Sequence, residues 1–517
     1  MSHAKPAFVR LAFVAMAAGV ILSAVGRSCP ADGIAVLANR DDDDGDGRPD
    51  ADDDQVNGAA DERDLTSIVV PCPAGARLVR VVADNAPLRF FLRDGEGWRH
   101  LGLGRAEWPL AEGGPADLTV HVEARDWAGV PEAWTGQGNV AVTFEGPDGP
   151  IAVHDLLVCV APVRLLPGTA RVDEAFVATG RYDNAAFVAR LREILEALDV
   201  PLVAHQTSDW REMWMQDTME IAVAATADSS MHVVLAGLRG HDSFPPTLLG
   251  PDVAVAEVAK PRPLAGGDAW ADWYGNLEVS VPTAAHEHGR VIYGRNRLTG
   301  GSFHPDVIGF LTAQHAQPPV WIDTSWLLIK HTDEIVAFLP GEDGRGVILV
   351  PDPAEGLRLL GDQDAAEPQA GRRREANARI ARAIDAMLVG DDRAPRAGET
   401  HAAGATGLLA LLGLDESRVV RLPVAFDVPA AGLLDDGGVT DASSLWSNPV
   451  NALVVNGTVI CGSAGMPSGV QEICRERFLA AGADRVEFID DGVYQKNHGN
   501  VHCATNARRQ DVEADRP

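Results

Sequence analysis

Positive charge is scarce in this 517-residue chain: 44 Lys and Arg stand against 74 Asp and Glu, a formal net charge of −30. Nucleic-acid binding depends on clustered Lys and Arg that neutralise phosphates, so nucleic acid is not an expected partner. An acidic field instead favours cations, either metal ions or arginine-rich substrates. Long apolar runs are absent after residue 25, so no later segment reaches transmembrane length and no stable membrane insertion is expected. Cysteine is sparse too, with Cys29, Cys72, Cys159, Cys461, Cys474 and Cys503. In an oxidising compartment Cys461 with Cys474, or Cys72 with Cys159, could pair, and spacing alone establishes neither. The remainder is ordinary for a globular protein, 46% apolar and 23% charged, and long enough for two or three domains.

The chain starts with Lys5 and Arg10 ahead of the apolar run Leu11–Val25, the length of a signal-peptide core. Residues 1–28 are therefore read as a signal peptide, with Ala24-Val25-Gly26 as a small-residue cleavage site and a secreted or periplasmic product. A lipid anchor at Cys29 is the weaker alternative, because the usual lipobox residues do not precede it.

Next comes Asn39-Arg40-Asp41-Asp42-Asp43-Asp44-Gly45-Asp46-Gly47-Arg48-Pro49-Asp50. Read from Asp42, the oxygens of Asp42, Asp44, Asp46, Asp50 and Asp53, with Gly47 at the turn, follow the spacing of a calcium loop. No amphipathic helix flanks it, so it is not an EF-hand. Residues 65–160 read as β structure. The runs Ser67–Val70, Leu78–Val82, Leu88–Leu92, Leu118–Val122, Val140–Phe144 and Ile151–Val160 are separated by Gly, Pro and Asp turns, the pattern of a small sandwich. Strands and helices alternate over 159–509. Asn184 is placed to cap a helix with the apolar stripe Phe187, Val188, Leu191, Ile194, Leu195 and Leu198, and further helices are expected over Arg374–Leu388 and Val470–Ala481. Asp362–Arg374 reads as a surface loop and 510–517 as a disordered tail.

Four polar segments interrupt this pattern: Trp214-Met215-Gln216-Asp217, Gly275-Asn276-Leu277-Glu278, His331-Thr332-Asp333-Glu334 and Val501-His502-Cys503-Ala504. A small buried thiol is the ordinary fate of a cysteine, but these segments together supply a thiol, an imidazole and two carboxylates. That set suits attack on a guanidinium carbon, which is poorly electrophilic because three nitrogens share its charge. Carboxylates hold the cation by paired charge-assisted hydrogen bonds. A nearby cation favours the thiolate over a thiol whose free pKa is about 8.5, and histidine moves protons near neutral pH. His331 and Asp333, two apart, would share one face of a strand, with Glu334 on the other.

With these motifs in order, joined by Leu-Gly-Pro-Asp at 249–252, the chain resembles the protein-arginine deiminases over nearly all of its length after the leader. The resemblance implies a pentein catalytic domain, a fivefold α/β propeller of ββαβ units, over 159–509, behind an immunoglobulin-like β-sandwich over 29–158. It implies calcium-dependent hydrolysis of peptidyl-arginine to peptidyl-citrulline and ammonia. Carried across, Cys503 would be the nucleophile, His331 the general acid/base, and Asp217 and Asp333 the guanidinium clamps. Trp214 would line the arginine channel and Arg239 would contact the substrate backbone. Calcium (Ca2+) would be held by Gln216, Glu220 and Glu278 with backbone oxygens of Tyr274 and Leu277. In the acidic region, Asn39, Asp41, Asp43, Asp61, Asp64 and Asp252 match, a register one residue away from the loop spacing.

Departures are also visible. Thr218 stands where animal members have a glutamate ligand, Gly237 replaces a substrate-facing arginine, and Asn500 precedes Val-His-Cys where animal members have glutamate. One β domain is present where they have two. The implied partners are arginine-containing proteins or peptides, and a homodimer is an open assembly state. The nearest rival is the same chemistry on free arginine or agmatine. A calcium-binding surface protein without activity is the rival from another class, and the order of His331 before Cys503 speaks against a papain-like protease.

Overall fold

The computed structural model describes the chain from Cys29 to Asp511, apart from 31–32, 85, 96, 112–115, 131–133, 241, 362–367 and 391–405. The leader and residues 512–517 therefore lie outside the described residues. Among those described, no helix is long and apolar enough to cross a membrane.

Residues 34–160 form two sheets. One has the strand order Ile34–Val36, Gly149–Val160, Gln137–Gly146, Leu78–Ala83, Arg105–Pro109; the other runs Thr66–Pro71, Asp117–Ala124, Leu88–Asp94, Gly97–Leu103. Alternating residues point inward, as the two-residue period of a strand requires. Val79, Val81, Val142 and Phe144 of one sheet join Ile68, Phe90, Val120 and Val122 of the other in one buried cluster. All six strands expected here are present, and the structure adds Ile34–Val36, Gly97–Leu103 and Arg105–Pro109. That cluster runs on into the second half of the chain, where Trp127 packs edge-on against Phe310.

The second half repeats one arrangement five times. A middle strand has an antiparallel neighbour on one side and a parallel neighbour on the other. The middle strands are Val172–Thr179, Ser230–Ala236, Val291–Arg295, Val347–Asp352 and Thr458–Gly462. Their antiparallel neighbours are Thr505–Arg509, Met219–Ala225, Leu277–Val279, Ala337–Leu339 and Leu453–Val455. Each parallel neighbour follows its middle strand after a crossover, as parallel pairing demands. Helices fill four of these crossovers: Ala185–Glu196, Pro305–Ala313, the group from Pro353–Leu360 to Leu408–Leu412, and Ser468–Ala480. The first sheet is closed by a strand from the far end of the chain, Thr505–Arg509.

Three local expectations are corrected. Asn184 stands at the helix N-cap, but its side chain donates to the Ala178 carbonyl and the Tyr494 hydroxyl rather than capping the helix. The helix expected from Arg374 begins at Ala370, because Arg373 is buried and pairs with Asp427, so its charge does not mark a surface loop. Of the tail, Gln510 and Asp511 are docked: Gln510 bonds Arg171 and Asp173, and Asp511 pairs with Arg164.

Candidate active site

The repeat explains where the polar segments lie. Each antiparallel strand is preceded by a short turn: Met215–Thr218, Tyr274–Asn276, Thr332–Glu334, the bend at 448–451 and Val501–Ala504. A one-turn segment at a strand start leaves its side chains free of the ladder. Asp217, Gly275, Asp333, Asn451 and Cys503 are thus delivered from equivalent places in five sheets. Thr332–Glu334 is a 3-10 turn rather than a strand, so alternation along a strand is not what aligns His331 with Asp333.

The carboxylates and the imidazole converge on Gly275. A Cβ placed there would stand 2.7 Å from His331 Nδ1, 2.8 Å from Asp217 Oδ1 and 3.2 Å from Asp333 Oδ2. The absent side chain leaves a methyl-sized space bounded by two carboxylates and a ring nitrogen. Asp217 is oriented by the Gly275 N–H at 2.9 Å. His331 donates from Nε2 to the Trp270 carbonyl at 2.9 Å, and because a carbonyl can only accept, the proton sits on Nε2. Nδ1 then faces the space with no hydrogen-bond partner, 3.6 Å from Asp217 Oδ1.

Cys503 Sγ lies 3.4 Å from Asp333 Oδ2 and accepts from Asn451 Nδ2 at 3.2 Å, while the Cys503 N–H donates to Asn451 Oδ1. Burial and the charges of Asp333, Asp217 and Glu334 push the thiol well above its ordinary pKa. Burial, again with Asp333 and Asp217 nearby, also pushes Glu334 well up. Glu334, expected on the opposite face of a strand, belongs to this same buried group.

Trp214 is buried in a ring cluster with Tyr182 and Tyr494. Another indole stands beside the imidazole: Trp273 is 6.4 Å from the His331 ring and 5.9 Å from the half-exposed Trp210. Arg239 stacks 5.0 Å from Trp273, and its donors are already engaged by Asp242, the Thr218 hydroxyl and the Arg211 carbonyl. Asp242 fills the space a side chain at Gly237 would need.

Beneath the site, Gln216, Glu220, Leu277, Glu278, His502 and Arg509 line a cavity of about 40 Å³, room for one ion or water. Gln216 Nε2 donates to Glu220 at 2.9 Å. Burial, helped by mutual repulsion, raises Glu220 to about 8, and burial with His502 and Asp333 beside it leaves Glu278 at about 7. Two buried acids sharing one small cavity offer oxygen donors of the kind hard cations take. Tyr274 and Leu277 lie on the turn that leads into the Glu278 strand. His502 bridges the two levels, with Nδ1 3.0 Å from Asp333 and Nε2 3.8 Å from Glu278. Burial opposes its charge, but the Asp333 bond and the two glutamates raise it to about 9.

The acidic segment is folded against Asp252. Oxygens of Asp41, Asp43 and Asp252 gather in one group and those of Asp42, Asp44 and Asp50 in another. Asn39 donates to Asp61 and Glu123, and its own Oδ1 is unpaired. Asp41 Oδ1, both Asp43 oxygens and Asp64 Oδ2 are likewise buried without partners. Asp42, in contrast, turns back on the Asp46 and Gly47 N–H groups.

Asn451 and His502 are the residues sequence reading missed. His502 was adjacent to the thiol and could have been weighed; an asparagine in the turn Asn448-Pro449-Val450-Asn451 carries no signal without the repeat.

Comparison with known proteins bears on residues 151–515, which match the family model described as "Protein-arginine deiminase (PAD)". The human protein-arginine deiminase type-4 is 25% identical over 442 residues, 78% of this chain and 64% of that protein. The rat type-3 protein is 27% identical over 391 residues, 70% of this chain and 56% of that one. The chain thus spans rather more than half the length of these relatives. A solved structure, "C. Jejuni Agmatine Deiminase", aligns over 68% of this chain and 96% of its own with 11% identity and a TM-score of 0.37. With its model matched across more than half of the chain, this protein belongs to the protein-arginine deiminase family.

Proposed function

We propose that this chain is a calcium-dependent guanidino-group hydrolase that converts peptidyl-arginine to peptidyl-citrulline and releases ammonia. The observation that carries the reading is the space at Gly275, bounded by His331 Nδ1, Asp217 and Asp333 with the Cys503 sulfur against Asp333. Asp217 and Asp333 accept the guanidinium N–H groups, and the arriving positive charge offsets the negative field that keeps the thiol protonated. The Cys503 thiolate attacks the guanidinium carbon. Nδ1 of His331, having taken the proton that the Cys503 thiol gives up, delivers it to the departing nitrogen as ammonia leaves, giving a covalent thiouronium. It then takes a proton from the water that cleaves the C–S bond and restores the thiolate. Asn451 holds the sulfur and the Cys503 backbone in line.

Gln216, Glu220 and Glu278, with carbonyls of Tyr274 and Leu277, would hold one calcium, which supplies charge that fixes the two glutamates. Asn39, Asp41, Asp43, Asp61, Asp64 and Asp252 would hold calcium in the acidic segment, and the unpaired buried oxygens there support that assignment. The five repeated sheets support a closed fivefold pentein propeller over 159–509, and the two-sheet unit an immunoglobulin-like domain over 29–158. An exported protein would meet the calcium this needs. A second reading, free arginine or agmatine as substrate, is favoured by Arg239, whose donors are engaged inside the protein rather than offered to a peptide.

The test is ammonia release from a blocked arginine peptide and from free arginine, each with calcium and with chelator. Calcium-dependent turnover of the peptide is expected. Turnover of free arginine alone would replace the substrate, and no ammonia from either would end the enzyme reading.

A further inference from the structure

Cys29 and Cys159 meet at one point of the β unit. The strand Ile34–Val36 pairs in parallel with Gly149–Val160, Ala35 opposite Cys159. Ahead of that strand the Gly33 N–H donates to the Pro30 carbonyl at 2.9 Å. Gly33 consequently borders both sulfurs: a Cβ there would collide with Cys29 Sγ and lie 3.3 Å from Cys159 Sγ. Cys159 is fully buried and held on its other side by the pairing with Gln137, so its position is fixed. Cys29 is partly exposed and can be reached from solvent.

We propose that Cys29 and Cys159 are a crosslink site, oxidised by a disulfide-bearing partner to an intramolecular disulfide. The Cys29 thiolate attacks the partner's disulfide, forming a mixed disulfide and expelling one thiolate. The Cys159 thiolate then attacks the Cys29 sulfur and expels the second. Two protein thiols and one partner disulfide thus become one protein disulfide and two partner thiols. The closed loop encloses both sheets of the β unit and the acidic segment from Asn39 to Asp64, so the crosslink restricts the unfolded chain over that whole region.

The other thiols are less suited. Cys72 follows Thr66–Pro71, a strand of the opposite sheet. Cys461 and Cys474 lie near each other, but both are sealed in the core, and burial pushes Cys461 well up and Cys474 to about 12. Cys503 is buried in the candidate active site.

The experiment equilibrates the reduced full chain with a mixture of reduced and oxidised glutathione, alkylates it after denaturation, and maps its peptides without reduction. Two fewer cysteines should be alkylated than in the fully reduced chain, with the peptide carrying Cys29 joined to the one carrying Cys159. Oxidation should raise the unfolding midpoint by roughly 5 °C, a shift that Cys29→Ser, which is expected to fold normally, abolishes. Six alkylated thiols, a Cys72–Cys159 link, or glutathione stranded on Cys29 would each overturn the proposal.

Discussion

Negative charge is buried in two places, and it is answered differently in each. Around Cys503, the carboxylates Asp333, Glu220 and Glu278 have cationic partners from the same chain, His502 between the levels and Arg509 beside the glutamates. In the acidic segment, Asp41, Asp43 and Asp64 keep buried oxygens without partners, and Arg63 reaches Asp252 only at 3.9 Å from a largely exposed position. Arg89 is buried nearby but is committed to Glu123 at 2.7 Å. Burial of an unpaired charge costs several kcal/mol unless it is neutralised. The first region therefore meets part of its charge with His502 and Arg509 and leaves its glutamates to protons or a cation. The second, with Arg89 committed to Glu123, depends on protons or an outside cation throughout.

The largest expected effect tests the matched region. Cys503→Ala should lower turnover on the order of 10⁴-fold or more while leaving the circular dichroism spectrum unchanged. Gly275→Ala fills the space shared by His331, Asp217 and Asp333, and should cost roughly 10²- to 10³-fold in kcat/KM. Steady-state kinetics on both variants checks these values, and normal turnover in either would remove the site from its place in the comparison.

The unmatched region should respond to pH and calcium. Burial, with neighbouring carboxylates adding to it, raises Asp41 to about 8 and Asp64 to about 7. These folded-state values exceed the unfolded one of about 3.9, so the folded chain holds protons that the unfolded chain gives up. Their contribution to stability is full below about pH 4 and is lost as pH rises through 7 to 8. Chelated protein should thus unfold at a lower temperature at about pH 8 than at about pH 5, and calcium should abolish the difference. Thermal scans at the two pH values, with and without calcium, make the comparison. Asp41→Asn should stabilise the chelated protein by about 1–3 kcal/mol at the higher pH and weaken its response to calcium. An unchanged response would mean that Asp41 is not a ligand.

A smaller effect concerns the wall beside the site. Arg239→Met and Trp273→Ala should each raise KM with little change in kcat, by about 1–2 kcal/mol. If Arg239 acts by holding Trp273, the double variant should cost less than the two losses together. If it binds the substrate backbone, the losses should add, and Arg239→Met should hurt peptide turnover more than turnover of free arginine.

Much of the β unit was legible because one face of each strand is buried, so apolar residues alternate along Leu118–Val122 and Val140–Phe144. The short strand Ile34–Val36 and the polar Gly97–Leu103 gave no such pattern. Four functional turns were legible because Asp, His and Cys side chains break apolar stretches. Their common geometry was not, since it follows from five strand pairings across long separations. Sequence adjacency also misled: His331 and Asp333 do converge, but through a 3-10 turn and the Trp270 carbonyl rather than through strand alternation. Arg373 illustrates the opposite failure, a charged residue that reads as surface and is buried in an ion pair.

The strand Thr505–Arg509, which follows directly on the Cys503 turn, pairs with Val172–Thr179, a stretch made more than three hundred residues earlier. On the ribosome, Asp217 and His331 emerge well before the sulfur they serve. A chain halted between residues 333 and 503 would carry both carboxylates proposed to hold the guanidinium and lack the proposed nucleophile. Catalytic competence would arrive with one of the last segments translated, which would keep the protein chemically silent during its own synthesis.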